Sequence, residues 1–343
     1  MADRTADFDY DLPPELIAQA PLPRRDASRL LVVDRAAGTL AHRTFADFPG
    51  VPAPGDVVVI NDSRVIPARL HGRRRGGGAA EVLLVSREAE GTWRALVRPG
   101  ARIRAGARLD LGEGDAVEVM ATIEGGQRRV RLAGPGGDDA ILARHGQVPL
   151  PPYIARPPEP ADRERYQTVY AEAPGSVAAP TAGLHFTSAI LAKLEERGVA
   201  VARLTLHVGP GTFQPVSEED PARHRLDPEA YVLPEEAAAA IAAARSRGGK
   251  IWAVGTTVTR TLETCALPDG TVRAGAGWTS LFIRPGHSFR AVDRLLTNFH
   301  LPRSTLLMLV SAFAGRDVVM RAYREAIERR YRFYSYGDAM LIL

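Results

Sequence analysis

The sequence predicts an α/β protein: a larger domain with a mixed sheet and, inserted in it, a smaller antiparallel β-barrel. Two changes of rhythm carry this reading. Between Gly55 and about Arg131, short apolar alternations follow one another ("DVVVIND", "ARLHGR", "AEVLLVS", "WRALVRPG", "RLDLGEGD", "AVEVMATI", "RRVRLAG"), parted by turn stretches such as "REAEG" and "EGGQ". Closely spaced strands with glycine-rich turns mark a barrel or sandwich. After Asp162, helix-period stretches ("SAILAKLEERG", "PEEAAAAIAAARSRGG", "TVTRTLETCAL", "RDVVMRAYREAIERRY") alternate with strand-like ones ("VAVARLTLHVG", "KIWAVGTT", "TSLFIRPG", "DAMLIL"). Such alternation predicts an α/β layer.

Taken in order, "RLLVVDRAAGTLAHRTFADF" reads as a hairpin of the larger domain. The prolines between Pro149 and Pro160 mark a linker or a rigid extended crossing out of the barrel. The expected division is residues 1–62 and 152–343 for the larger domain and 63–151 for the barrel. Thr187 or Ser188 caps "SAILAKLEERG", and a second capped helix follows Pro302.

A chain of 343 residues, 45% hydrophobic and 24% charged, has room for two domains and an ordinary globular core. Its one cysteine, Cys265, excludes a disulfide framework and a cysteine-based metal site, and reads as a small buried hydrophobe. The acidic N-terminal stretch lacks a signal-peptide core, and the apolar run Leu306 to Val310 is too short to span a bilayer. A cytoplasmic protein, expected as a monomer, follows. The net charge is +4, carried almost entirely by arginine, which suits a phosphate-bearing partner. "HGRRRGGG" (His71 to Gly78) is either a solvated hairpin tip or a nucleic-acid contact, and both readings stay open.

Three histidines stand where regular structure gives way to glycine or proline: His185 in "APTAGLHFTSAILAKL", His207 in "LTLHVGPGTF", and His300 in "LLTNFHLPRSTLLMLV". Sites are commonly built at such junctions. No metal-ligand spacing, nucleophile elbow, dinucleotide fingerprint or phosphate loop occurs. A polar site is expected instead. In "WAVGTTVTRTLE", Thr256 and Thr257 open a helix whose N-terminal N–H groups suit an anion, with Arg260 one turn on; a plain helix cap is the alternative. Asn61, Asp62 and Arg64 cluster after an apolar strand. Asp338 heads the C-terminal strand, where apolar neighbours would raise its pKa towards that of a base.

Together, "NDSRVIPARL", "YQTVYAEAPGSVAAPTAGLHFT", "LTLHVGPGTFQPV", "VGTTVTRTLE", "LLTNFHLPRSTLLMLVSAFAG" and "RFYSYGDAMLI" closely resemble the S-adenosylmethionine:tRNA ribosyltransferase-isomerase family of queuosine biosynthesis, from about Asp7 to Leu343. The resemblance implies transfer and isomerisation of the ribosyl moiety of S-adenosylmethionine onto 7-aminomethyl-7-deazaguanine at the tRNA wobble position. Epoxyqueuosine would form as adenine and methionine leave. S-adenosylmethionine would be a consumed co-substrate, with no further cofactor and no metal, and the tRNA anticodon stem-loop the partner. In that chemistry His185 and His207 are expected as the acid/base pair, with Asp338 beside them. Asn61, Asp62, Arg64, Thr181, Gly183, Gly209, Thr212, Asn298 and His300 are expected to bind or orient substrate. Thr256, Thr257 and Arg260 would hold the methionyl carboxylate or a phosphate.

Two departures from the family pattern stand out. Leu226-Asp227-Pro228-Glu229 replaces the usual Met-His-Ser-Glu, keeping only the glutamate, and Pro210 replaces a small or aliphatic residue. The intact stretches elsewhere favour a tolerated change. The rival readings are a non-catalytic tRNA-binding protein, an enzyme using another acceptor, and a metalloenzyme built on the three histidines.

Overall fold

The computed structural model describes residues 4–88, 91–213 and 215–343, the side chains of residues 212 and 213 excepted. The chain opens with the hairpin β1 (Arg29–Asp34) and β2 (Thr39–Thr44), then β3 (Val57–Asn61). β4 (Ser63–Val65) leads to the barrel strands β5 (Arg69–Arg74), β6 (Ala79–Arg87), β7 (Thr92–Arg98), β8 (Arg108–Gly112), β9 (Asp115–Thr122) and β10 (Arg128–Ala133), followed by α1 (Gly137–His145). The return runs through α2 (Asp162–Arg165), β11 (Ala173–Ser176), α3 (Ser188–Glu196), β12 (Ala200–Leu206), β13 (Glu229–Leu233) and α4 (Glu235–Ser246). β14 (Ile251–Val254), α5 (Thr256–Cys265), β15 (Gly275–Thr279), β16 (Arg294–Asn298), α6 (Thr305–Ala314), α7 (Arg316–Glu328) and β17 (Ala339–Ile342) complete it.

Among the described residues the larger domain holds a nine-stranded mixed sheet in the order β15-β13-β12-β3-β14-β16-β17-β1-β2, and the barrel closes as β10-β7-β6-β5-β8-β9. Every barrel pairing is antiparallel. The α/β domain with its smaller barrel is thus the architecture the sequence predicts.

Two stretches depart from their local rhythm. "DVVVIND" shares the barrel's rhythm but, as the division at residue 62 expects, lies in the large sheet: β3 runs parallel to β12 and β14 in its middle. Its four consecutive apolar residues are fully buried, which is what a strand covered on both faces requires. In "TSLFIRPG" only Thr279 belongs to a strand; Ile283 is buried in the main core, with Leu281 and Phe282 packed against it.

The side-chain alternation of the strands divides the core into two layers. Leu31, Val33, Val57 and Val59 face α4 to α7, meeting Ile241, Leu262, Leu309 and Tyr323. Leu30, Val32, Val58 and Ile60 face the other way, onto α3 (Ile190, Leu194) and the ring cluster Phe45, Phe48 and Phe186. α3 starts at Thr187, whose Oγ1 accepts from Ile190 N at 3.2 Å, and α6 starts at Ser304, whose Oγ accepts from Leu307 N at 3.2 Å. The barrel has its own core, into which α1 inserts Ile141 and Leu142.

β3 ends on Asn61, a fully buried amide. Its Oδ1 accepts from Leu206 N at 3.0 Å and its Nδ2 donates to Leu206 O at 3.0 Å. The same side chain accepts from Ser63 N at 3.1 Å and reaches Thr257 Oγ1 at 3.3 Å. It therefore fastens the end of β12, the start of α5 and the exit to the barrel to one point. Asn61→Ala leaves the Leu206 N–H and C=O unpaired in a dry interior, and about 2–4 kcal/mol of unfolding free energy should be lost. Urea unfolding, read as a lower midpoint at unchanged slope, tests this.

Candidate active site

Four neighbouring parallel strands, β12, β3, β14 and β16, end at one edge of the sheet. His207 follows β12, Asn61 closes β3, Gly255 to Thr257 follow β14, and Asn298 closes β16. The carboxyl edge of such strands is where open α/β sheets bind ligands. Sequence order scatters these residues; the sheet gathers them.

The principal cavity, about 1060 Å³, lies at this edge between sheet and barrel. One wall carries His207, Gly209, Pro210, Glu229 and Arg260; the barrel supplies Arg87, Trp93, Arg94 and Arg129; Trp278 borders it on β15. The His207 ring packs on Gly175, where a Cβ would come within 3.0 Å of its Cε1. Among the described residues its buried Nδ1 has no hydrogen-bond partner. Burial lowers the pKa of His207, partly opposed by the charge of Asp62, so the imidazole is neutral at pH 7 and able to accept a proton.

A second, smaller chamber, about 50 Å³, lies behind Leu306, which borders both cavities. Thr181, Thr256, Thr257, Asn298 and His300 line it. The N-terminus of α5 opens into it, and the first turn of a helix carries N–H groups with no intrahelical acceptor. Asn298 Nδ2 donates to Tyr334 O at 3.1 Å, while its buried Oδ1 has no partner among the described residues.

His185 is in neither cavity. It lies on the wall of a third, smaller recess beside Arg25 and Ser28. Asn298 Nδ2 meets its Nε2 at 3.2 Å and Ser28 Oγ its Nδ1 at 2.7 Å. The amide nitrogen can only donate, so Nε2 accepts and Nδ1–H donates to Ser28. Burial, with the charges of Arg25 and Arg332, pushes its pKa down to about 3. His300, bonded through Nε2 to Thr297 Oγ1 at 2.6 Å, is likewise driven to about 3 by burial. The expected His185–His207 pair is therefore split, with His207 alone of the two on the cleft.

Other expected residues hold the scaffold. Asp338 accepts from Arg29 N (2.9 Å), Arg29 Nε (3.1 Å) and Arg332 N (2.8 Å); both its oxygens are engaged, which leaves it a buried clamp in place of the expected base. Asn61 is fully occupied, as described. Asp62 accepts from Thr205 Oγ1 at 2.6 Å, and exposed Arg64 donates to Ala171 O. Gly183 is a close approach, for a Cβ there would sit 2.1 Å from Tyr170 Oη. Arg260 is ion-paired with Glu229 and donates to Leu281 O at 2.9 Å, so its charge already has a partner. The side chain of Thr212 lies outside the described residues.

Glu229 is the residue that sequence reasoning undervalued. Its Oε1 accepts from Gly209 N at 2.8 Å while Oε2 meets Arg260. The signal was its retention in the departing Leu226-Asp227-Pro228-Glu229 segment, all four residues of which line the cleft. Trp278 and the barrel arginines carried no local signal. Among the described residues no group of three His, Cys, Asp or Glu side chains could hold a metal ion, and no helix is long and apolar enough to cross a membrane.

Fold and cleft together define an α/β enzyme whose site is shared between a sheet edge and an inserted barrel. The chain matches the family described as queuosine biosynthesis protein over residues 5–342. It is 57% identical over 342 residues to an S-adenosylmethionine:tRNA ribosyltransferase-isomerase of Symbiobacterium thermophilum, covering 99% of this chain and 100% of that one. A relative of the same name from Moorella thermoacetica is 55% identical, with 99% and 100% covered. The crystal structure of S-adenosylmethionine tRNA ribosyltransferase from Thermotoga maritima superposes with a TM-score of 0.57 at 43% identity, covering 98% of this chain and 100% of that one. The chain belongs to the S-adenosylmethionine:tRNA ribosyltransferase-isomerase family and is an enzyme of the transferase and isomerase classes.

The buried histidines make stability pH-dependent. With a folded pKa near 3 against about 6.5 unfolded, the unfolded chain binds the extra proton, so the contribution is full above pH 6.5 and lost as pH falls towards 3. Unfolding free energy should drop by up to about 1.4 kcal/mol per pH unit for each histidine. His185→Gln should make that slope shallower by one such increment, measured by urea unfolding between pH 7 and 4.

Proposed function

We propose that the enzyme transfers and isomerises the ribosyl moiety of S-adenosylmethionine onto 7-aminomethyl-7-deazaguanine at the tRNA wobble position, giving epoxyqueuosine with release of adenine and methionine. The observation that carries this reading is a neutral, half-buried histidine on the wall of a cleft large enough for a nucleoside and a nucleobase. The carbon between ribose and sulfonium is acidic, because the adjacent positive sulfur stabilises a carbanion. His207 removes that proton, and adenine leaves C1′ protonated by the imidazolium so formed. The neutral aminomethyl nitrogen bonds to C1′ and gives up a proton as the ring C–O bond there opens; the sulfur-stabilised carbon then closes onto C1′, and the freed ring oxygen displaces methionine to form the epoxide. A partly desolvated site favours the uncharged amine that attack requires.

The helix N-terminus at Thr256 and Thr257 supports placement of the methionyl carboxylate there, with the ammonium group directed to Asn298 Oδ1. Arg260 takes a different part from the one expected of it: it orders the cleft wall through Glu229. Leu226, Asp227 and Pro228 alter the surface of that wall and leave the Glu229 bridge in place, which supports a tolerated change.

The test incubates the enzyme with S-adenosylmethionine and an anticodon stem-loop carrying 7-aminomethyl-7-deazaguanine, with a guanine-bearing stem-loop as control. Adenine release by chromatography, matched by RNA mass gain only on the modified base, is expected. Binding of both substrates without adenine release would sink the proposal. His207→Gln should lower kcat roughly 10²–10⁴-fold, the range of a removed general base. In the wild type kcat/KM should fall below pH 6.5 as His207 is protonated, since its pKa is lowered. That acidic limb should vanish in His207→Gln and persist in His185→Gln.

A further inference from the structure

The positive excess of the chain sits in the barrel. Residues 63–151 contain fifteen arginines and no lysine against ten Asp and Glu, a formal +5, whereas the whole chain is +4 and the remainder therefore −1. Pairing within the barrel is uneven. Glu118 pairs with Arg108 and Arg131 at 2.5 and 2.7 Å, Glu88 with Arg129 at 2.6 Å, and Asp115 with Arg144 at 2.8 Å. Arg73, Arg75, Arg98, Arg102 and Arg104 are exposed, and their side chains make no ion pair or hydrogen bond among the described residues.

Topology brings these five to one end of the barrel. β5 ends, β6 begins, β7 ends and β8 begins there: Arg73 lies opposite Ala79 and Asp110, and Arg98 opposite Glu81. The β5–β6 tip carries Arg75, and the β7–β8 connection carries Arg102 and Arg104. Carboxylates at this end are few and mostly engaged. Glu81 faces Arg69 at 3.7 Å, Asp110 accepts from Gly112 N at 2.9 Å in its own turn, and Glu124 is exposed. The tip itself is open, since a Cβ at Gly76 or Gly77 would meet nothing within 4 Å.

The opposite end of β6 and β7, from Val85 to Arg94, forms the barrel wall of the cleft. At ~3.4 Å per residue, the six steps from Thr92 to Arg98 set the arginine end about 20 Å from that wall. One barrel thus presents the cleft at one end and a group of free guanidinium forks at the other. Such forks suit phosphate oxygens bidentately, and duplex RNA is recognised through its backbone and shape more than its base edges.

We propose that the arginine end of the barrel, Arg73, Arg75, Arg98, Arg102 and Arg104, holds the phosphodiester backbone of the RNA stem adjoining the nucleotide in the cleft. The identity of the occupant rests on the reaction proposed above. On this assignment "HGRRRGGG" is a nucleic-acid contact and not merely a solvated tip.

The test compares two triple variants. Arg73→Gln/Arg75→Gln/Arg98→Gln removes three charges from the barrel end, and Arg197→Gln/Arg247→Gln/Arg324→Gln removes three from exposed arginines of the larger domain. Stem-loop binding is measured across 50–200 mM salt, and adenine release at saturating RNA. For the barrel variant, affinity should fall roughly tenfold or more and the log–log salt slope should flatten by about 0.9 for each phosphate no longer neutralised. Its kcat should stay within about twofold of wild type, the control should bind normally, and shortening the stem should erase the difference. Unchanged affinity and slope in the barrel variant, or equal losses in both variants, would overturn the proposal. Barrel-dependent RNA binding by an enzyme that releases no adenine would uphold the surface and sink the reaction instead.

Discussion

The structure depends on how β3 stops. A central parallel strand must end somewhere, and its last residue must supply what the ladder no longer does. Asn61 does so with a carboxamide, whose donor and acceptor match the N–H and C=O of Leu206 at 3.0 Å each. That pairing fixes the last residue of β12, and His207 is the next. The contact to Thr257 fixes the first turn of α5, and the bond from Ser63 turns the chain into the barrel. A buried amide is stable only when its hydrogen bonds are made, so the site edge and the domain junction are specified together.

The three histidines show how burial sorts one residue type into different work. His185 and His300 are enclosed, hydrogen-bonded and held far below their ordinary pKa. They organise Asn298 and the small chamber without titrating near neutrality. His207 keeps one side towards the cleft and feels the opposing charge of Asp62. Desolvation alone would remove it from useful proton transfer; partial exposure and a carboxylate neighbour moderate that effect.

The departures from the family pattern lie in the cleft wall. Glu229, the one residue kept in its segment, joins Gly209 to Arg260 and so shapes the loop that follows His207. Leu226, Asp227 and Pro228 line the same cleft. The wall facing them comes from a domain inserted in the chain at the very point where β3 ends, so the site is completed by barrel strands that bear no local mark of it.

The sequence by itself determined the two-domain α/β-plus-barrel plan, a capped helix start at Thr187 or Ser188 and another after Pro302, and the strand ends at which polar residues gather. These are local matters of side-chain period, capping chemistry and glycine or proline interruption. Its family-specific stretches also identified the enzyme class. Only the tertiary structure decided which polar residues face a cavity. His185 and Asp338 sit in stretches as suggestive as that of His207, yet His185 is taken up by Ser28 and Asn298, and Asp338 by Arg29 as well as nearby Arg332. Partners more than a hundred residues distant leave no trace in local pattern. Glu229 showed only as the residue retained in a departing segment, and "HGRRRGGG" only as a tip with two open readings; Trp278, and the gathering of Arg98, Arg102 and Arg104 beside that tip, acquire their meaning only once the strands have closed.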